Sequence, residues 1–166
     1  MKHPPLFRAG LVLGLGLGGL FDGIVLHQIL GWHHMVCTTD TCQPASIAAL
    51  QRQIVQDGYF DFTVWALTLA GVALLFRALR IQPMAWPGKL FVGSLLVGWG
   101  SFNFFEGLID HQILGLHHVL PGHPHQLLYD LLFLASGLLL AAVGWALARA
   151  GGERASARPA GAAGPR

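Results

Sequence analysis

The chain has 166 residues, 54% of them hydrophobic and 11% charged, with a formal net charge of +2. Soluble domains carry about 25% charged residues, so so apolar a chain has the bilayer as its expected solvent. The small positive charge is scattered between hydrophobic stretches and offers no footprint for nucleic acid.

The first hydrophobic block runs from Leu6 to Leu30. It is long for the apolar region of a signal peptide, and no small-residue cleavage site follows it, so it is read as a membrane span. Gly10, Gly14 and Gly18 recur every fourth residue within it. Small residues at this spacing let helix backbones approach closely in lipid. The Gly-Leu-Gly-Leu-Gly-Gly run lacks a preceding strand and is not a dinucleotide fingerprint. The first loop follows, with Cys37, Cys42 and Pro44. The second block spans Tyr59 to Leu79, the third Leu90 to Leu116 and the fourth Leu127 to Leu147. Each approaches or exceeds the roughly 20 residues that cross a hydrocarbon core. Pro83 and Pro87 break the second connection, Pro121 and Pro124 the third. From Gly151 to Arg166 the composition turns to Gly, Ala, Pro and Arg, as in a disordered tail.

Four spans place both ends of the chain and the second loop on one side. That side holds nine basic residues (Lys2, Arg8, Arg77, Arg80, Lys89, Arg149, Arg154, Arg158, Arg166), and the other holds Arg52 alone. Positive loops stay in the cytoplasm, so both termini are expected there and the first and third loops outside.

The chain repeats itself. Phe21 to His34 reads FDGIVLHQILGWHH, and Phe105 to His118 reads FEGLIDHQILGLHH, with nine of 14 positions identical and a spacing of 84. The second and fourth spans align more weakly, Phe60-Asp61 against Tyr129-Asp130, which leaves an insertion carrying both cysteines in the first outer loop. The expected fold is an all-α integral membrane four-helix bundle built from two tandem two-helix repeats. The transmembrane domain would cover residues 1–150, with repeat one over 6–80, repeat two over 89–149 and a cytoplasmic tail over 151–166. Each unit has two spans, so the pseudo-two-fold axis would lie along the membrane normal.

The FDGIVLHQILGWHH stretch resembles the bacterial membrane proteins grouped as domain-of-unknown-function family 2243. The resemblance extends over nearly the whole chain except the tail. It implies a small four-helix protein of the bacterial inner membrane and supplies no activity, so function has to come from the residues.

Five of the eight acidic residues, Asp22, Asp61, Glu106, Asp110 and Asp130, fall within the hydrophobic blocks. A carboxylate in mid-span costs at least ~2.5 kcal/mol and needs a partner, a proton or a metal. Seven of nine histidines lie near the outer helix ends. On α-helical geometry His27 and His34 share one face, as do His111 and His118, and Asp61 and Asp130 share a depth with His27 and His111. These six are the expected first ligands of a metal ion. Glu106 and Asp22 sit about a turn deeper as further ligands or orienting acceptors. Asn103, Glu106, Asp110 and His117 form a second stripe, answered in the first repeat only by Asp22 and His33.

Several functions fit such a set. The foremost is a His/carboxylate centre for iron, copper, zinc or manganese, either redox-active or handling metal for a membrane partner. A proton or ion path is the alternative. Haem between His27 and His111, or a structural or assembly role, are further ones. Ser46, Ser94, Ser101 and Ser136 lie in no nucleophile motif, and Tyr59 and Tyr129 are read as interfacial residues. Whether the chain is an enzyme stays open. Cys37 and Cys42 would close a small disulfide loop in an oxidising compartment, with a thiol pair holding soft metal as the competing reading.

Overall fold

A computed structural model describes residues 4–38, 42–81 and 87–157, the side chains as far as Glu153. All its regular elements are helical: α1 (Pro4–Phe21), α2 (Ile47–Ile81), α3 (Gly88–Glu106) and α4 (Gln126–Ala157). At its C-terminal end α1 widens into a π-helical stretch, Asp22–Ile29, and α3 does the same over Gly107–Ile113. Four helices are long and apolar enough to cross a membrane: Pro4–Ile29, Ile47–Ile81, Gly88–Ile113 and Gln126–Glu153.

α2 starts well before Tyr59, where the apolar block starts. Ser46 caps it: the Ala49 N–H donates to the Ser46 hydroxyl at 3.2 Å. The residues that follow, Ala48 to Gln53, are mostly strong helix formers without being apolar enough to read as a span. α4 ends later than expected. It continues through Gly151 to Ala157, so the tail does not become irregular at Gly151; residues 158–166 lie outside the described part. Gly151 is helical because it packs on the start of α3, where a Cβ would strike the Leu90 backbone.

α1 and α3 form the centre of the bundle, with α2 against α1 and α4 against α3. The central seam depends on glycine. A Cβ at Gly14 would collide with the Leu95 carbonyl, and one at Gly98 with the Leu11 carbonyl. Both clashes are with backbone, so a side chain at either position would force the helices apart, and glycine is what lets them approach closely. At the end of the bundle that holds the chain's N-terminal segment, Leu6, Ala78, Leu90 and Ala148, one from each helix, make an apolar core. The opposite end is polar inside.

Candidate metal centre

The π-helical stretches create the site. The Leu30 N–H reaches back five residues to the Val25 carbonyl at 2.9 Å, and Leu114 reaches Ile109 at 2.8 Å. With the ladder widened to five residues, a side chain comes to lie over the one five positions earlier. Asp22 therefore sits beneath His27, Oδ2 to Nε2 3.1 Å, and Glu106 beneath His111, Oε1 to Nε2 2.9 Å. Gly31 and Gly115, both at φ 58°, then end the helices. That left-handed turn favours glycine, because a Cβ there crowds the following carbonyl.

The turn throws His33 and His117 inward, across the central seam. They make a reciprocal exchange: His33 Nδ1 donates to the Val119 carbonyl at 3.0 Å and His117 Nδ1 to the Met35 carbonyl at 2.9 Å. Their rings stack with centroids 4.6 Å apart and planes 9° from parallel. The Cys37 N–H bonds the Leu116 carbonyl at 2.9 Å, a further tie between the loops that follow the two π-helical stretches.

Asp57 on α2 and Asp130 on α4 close the site from outside. Asp57 accepts from the Met35 N–H at 2.7 Å and meets His34 Nδ1 at 2.6 Å and His27 Nδ1 at 3.2 Å. Asp130 accepts from the Val119 N–H at 2.9 Å, meets His118 Nδ1 at 2.7 Å and lies 3.5 Å from His111 Nδ1. Phe60 covers the His27 ring and Phe133 the His111 ring, at centroid distances of 5.5 and 5.4 Å.

The result is four buried imidazoles, His27, His33, His111 and His117, none more than 3% exposed. Three have Nδ1 hydrogen-bonded to a carboxylate or a carbonyl, and His111 Nδ1 faces Asp130 at 3.5 Å without a hydrogen bond. On the Nε2 side His27 meets Asp22, while His111 and His117 both meet Glu106 Oε1, at 2.9 and 2.8 Å. Several buried atoms here have no hydrogen-bond partner: Asp22 Oδ1, Glu106 Oε2, Nε2 of His27 and His33, and both ring nitrogens of His111. Burial pushes the His33 imidazole down to about 2, the neighbouring His117 and His27 adding to the shift, so the ring is neutral. A neutral ring donating from Nδ1 keeps the Nε2 lone pair of a metal ligand. Two triads, His27 with His33 and His117, and Glu106 with His111 and His117, each bring three ligand atoms within 4.8 Å of one another.

Of the residues singled out in the sequence, the structure gathers Asp22, His27, His33, Glu106, His111 and His117 into this interior, with Asp130 behind His111. His34 and His118 stand differently. Both helices end before them, so no helical face carries His27 with His34 or His111 with His118. They reach Asp57 and Asp130 from the loops, with side chains 18% and 24% exposed. Asp61 is half-buried and accepts from the Gln28 amide instead of an imidazole. Asp110 is half-buried and forms no hydrogen bond or ion pair with the imidazoles among the described residues. Cys37 and Cys42 are joined in a disulfide.

Asp57 is the residue the sequence reading missed, because it precedes the apolar block. It corresponds in its contacts to Asp130, and Phe60 to Phe133, a spacing of 73 that replaces the pairing of Asp61 with Asp130. The signal was there: Gln53-Ile-Val-Gln-Asp57-Gly-Tyr-Phe60 and Gln126-Leu-Leu-Tyr-Asp130-Leu-Leu-Phe133 share Gln, Asp and Phe at the same steps.

The sequence matches the family of predicted membrane proteins DUF2243 over residues 9–151, and the chain belongs to that family. No curated protein and no solved structure matches it.

Proposed function

We propose that this chain is an integral membrane protein that binds transition metal near the outer membrane face, for redox chemistry or metal handling. One observation carries the reading. Four buried imidazoles turn Nδ1 toward a carboxylate or a carbonyl, hydrogen-bonded in His27, His33 and His117 and 3.5 Å away in His111, while Asp22 lies at Nε2 of His27 and Glu106 at Nε2 of His111 and His117. That is how proteins orient histidine toward a metal, with the outer partner fixing tautomer and ring angle. Asp57, Asp130 and the carbonyls of Met35 and Val119 would orient; His27, His33, His111, His117, Asp22 and Glu106 would bind. A bound ion would supply Lewis acidity or a redox couple and would neutralise the inner carboxylates.

Haem is disfavoured sterically. His27 and His111 are separated by the stacked His33 and His117 rings, with successive centroids 4.5, 4.6 and 4.8 Å apart. A porphyrin between them would have to expel both. The membrane is the bacterial inner membrane on the family resemblance. The side follows from the nine-to-one distribution of basic residues, which puts both termini in the cytoplasm and the centre outside. Reporter fusions after Ala45 and Gly122 should report an external location.

The test is elemental analysis of protein purified in mild detergent without chelators. The intact chain should carry iron, zinc, copper or manganese. The double variant His27→Ala/His111→Ala should insert and lose the metal. An intact chain without metal, or a double variant with full occupancy, would overturn the reading and leave the buried histidines and carboxylates as a proton relay.

A further inference from the structure

Resting on that metal-binding reading, we infer that the centre takes two divalent ions, one in each half. His27, His33 and Asp22 hold the first, and His111, His117 and Glu106 hold the second.

Lone pairs come first. Nδ1 of His27, His33 and His117 is hydrogen-bonded outward and that of His111 faces Asp130 at 3.5 Å, so each ring would turn Nε2 to an ion and four histidines would supply four nitrogen ligands. In the second half Glu106 Oε1 lies 2.9 Å from His111 Nε2 and 2.8 Å from His117 Nε2, a compact set of two nitrogens and one oxygen. The first half offers the same donors. Asp22 lies 3.1 Å from His27 Nε2, and the His33 ring stands 4.5 Å from the His27 ring with its Nε2 unpartnered. The orphaned atoms at the site are divided between the halves: Asp22 Oδ1, His27 Nε2 and His33 Nε2 in one, Glu106 Oε2 and both ring nitrogens of His111 in the other. A single ion within reach of one triad would leave the orphans of the other unexplained.

Charge gives an independent argument. Asp22, Asp57, Glu106 and Asp130 are all buried, at 3%, 3%, 8% and 1% exposure. Among the described residues none of the four pairs with Lys or Arg; the one such ion pair, Arg149 with Glu153, is exposed and at the other end. Asp57 and Asp130 also meet the loop histidines His34 and His118. Asp22 in one half and Glu106 in the other meet only imidazoles that would have to be neutral to bind metal, so each would need a cation of its own, and a single ion would compensate the carboxylate of one half only.

The donor set also names the class of ion. Two histidines and one carboxylate with open positions suit iron(II), and the same nitrogen and oxygen donors suit manganese and zinc. Soft copper(I) would want thiolate or thioether. Cys37 is consumed in the disulfide, and Met35 reaches the site through its backbone. The two pockets adjoin, since His117 also lies within 4.8 Å of ligand atoms of His27 and His33. Adjoining pockets are the arrangement of two-metal sites, whose ions lie roughly 3.5–4 Å apart.

The experiment is a stoichiometric titration of the chelator-stripped full chain in detergent with zinc, read by elemental analysis against quantitative amino-acid analysis. The intact chain should bind about two ions per chain. His27→Ala/His33→Ala should halve that content, and so should His111→Ala/His117→Ala. Cobalt(II) titration of the unsubstituted chain, read by visible absorption, guards against variants that fail to fold; its break should fall at about two equivalents. A break at one equivalent, with either double variant losing all metal, would overturn the two-ion centre while leaving metal binding intact. An intact chain binding no zinc or cobalt would overturn both.

Discussion

The halves α1–α2 and α3–α4 share a frame of contacts and differ around it. His27, His33 and His34 have the roles of His111, His117 and His118, and Met35 and Val119 exchange identical roles across the seam. Gly14 and Gly98 admit the partner helix in the same way. The differences lie around this shared frame. Asp22 is one methylene shorter than Glu106, the loop between α1 and α2 carries a disulfide that the loop between α3 and α4 lacks, and Asp61 stands where the second half has Leu134. What both halves keep is the apparatus that holds imidazoles; what varies sits beside it. The longer Glu106 reaches two imidazoles, while Asp22 makes an ion pair with one. The second half is therefore the better formed of the two pockets.

The most sensitive place to break this equivalence is the outer carboxylate pair. Asp57→Asn and Asp130→Asn each remove a charge that holds two histidines and a loop N–H. Losing such an orienting partner costs roughly 10–100-fold in metal affinity. Competition with a chelator of known affinity should find both losses in that range. A large loss for one variant and none for the other would mean that the halves are alike in outline only.

The disulfide sharpens the contrast, because it belongs to one half. Cys37 is fully buried, and its sulfur accepts from the His34 N–H at 3.2 Å. Closing so short a loop stabilises by about 2 kcal/mol in the chain-entropy account. Cys42→Ser should lower the thermal midpoint in detergent accordingly, and reductant should do the same to the unsubstituted chain and nothing further to the variant. If the midpoint does not move, the loop is held by the Cys37–Leu116 backbone bond and its neighbours alone.

A smaller and equal effect is expected at the two helix ends. Gly31→Ala and Gly115→Ala each force a side chain into a backbone at φ 58°, with open space around the new Cβ. The cost is therefore purely conformational, about 1 kcal/mol at each position. Thermal or denaturant unfolding should show the two variants alike. Unequal costs would show that one helix end relaxes out of the π-helical turn and the other does not.

The four spans, the inner acids Asp22 and Glu106 and the inward His27 and His111 were legible because hydropathy and repetition are properties of the chain itself; that His33 and His117, not His34 and His118, join them was not. Nor was the π-helical turn. An α-helical wheel joins His27 to His34, whereas the wider turn joins Asp22 to His27 and leaves His34 in a loop; nothing in FDGIVLHQILGWHH states which ladder its backbone adopts. Gly31 and Gly115 were the nearest signal, since glycine at the same place in both halves marks a helix stop. Asp57 was hidden for another reason. Hydropathy finds the membrane-crossing part of a helix, and α2 begins at Ile47, outside the apolar block that starts at Tyr59. Once the helix is known to start early, Gln53, Asp57 and Phe60 align with Gln126, Asp130 and Phe133.

That realignment gives the smallest expected effect, and it is the strictest check on the correspondence between halves. Asp61 lies one helical turn beyond Asp57 on α2 and is the acid that hydropathy favours. Its carboxylate accepts from the Gln28 amide and packs where Gly23 leaves room on α1. It forms no ion pair with His27, which is held instead by Asp22 and Asp57. Gln112 takes the place of Gln28 in the second half, and with Leu134 opposite it that half has no such pair. The proposed pocket of that half has all its donors without one. Asp61→Asn keeps an acceptor for Gln28 and removes only charge. Metal affinity should stay within about twofold of the unsubstituted chain, and stability within ~0.5 kcal/mol, as for substitutions away from special features. The same chelator competition used for Asp57→Asn reads both variants side by side. A tenfold or greater loss for Asp61→Asn, with Asp57→Asn unaffected, would restore the 69-residue pairing of Asp61 with Asp130 and undo the equivalence of the two halves on which the site is built.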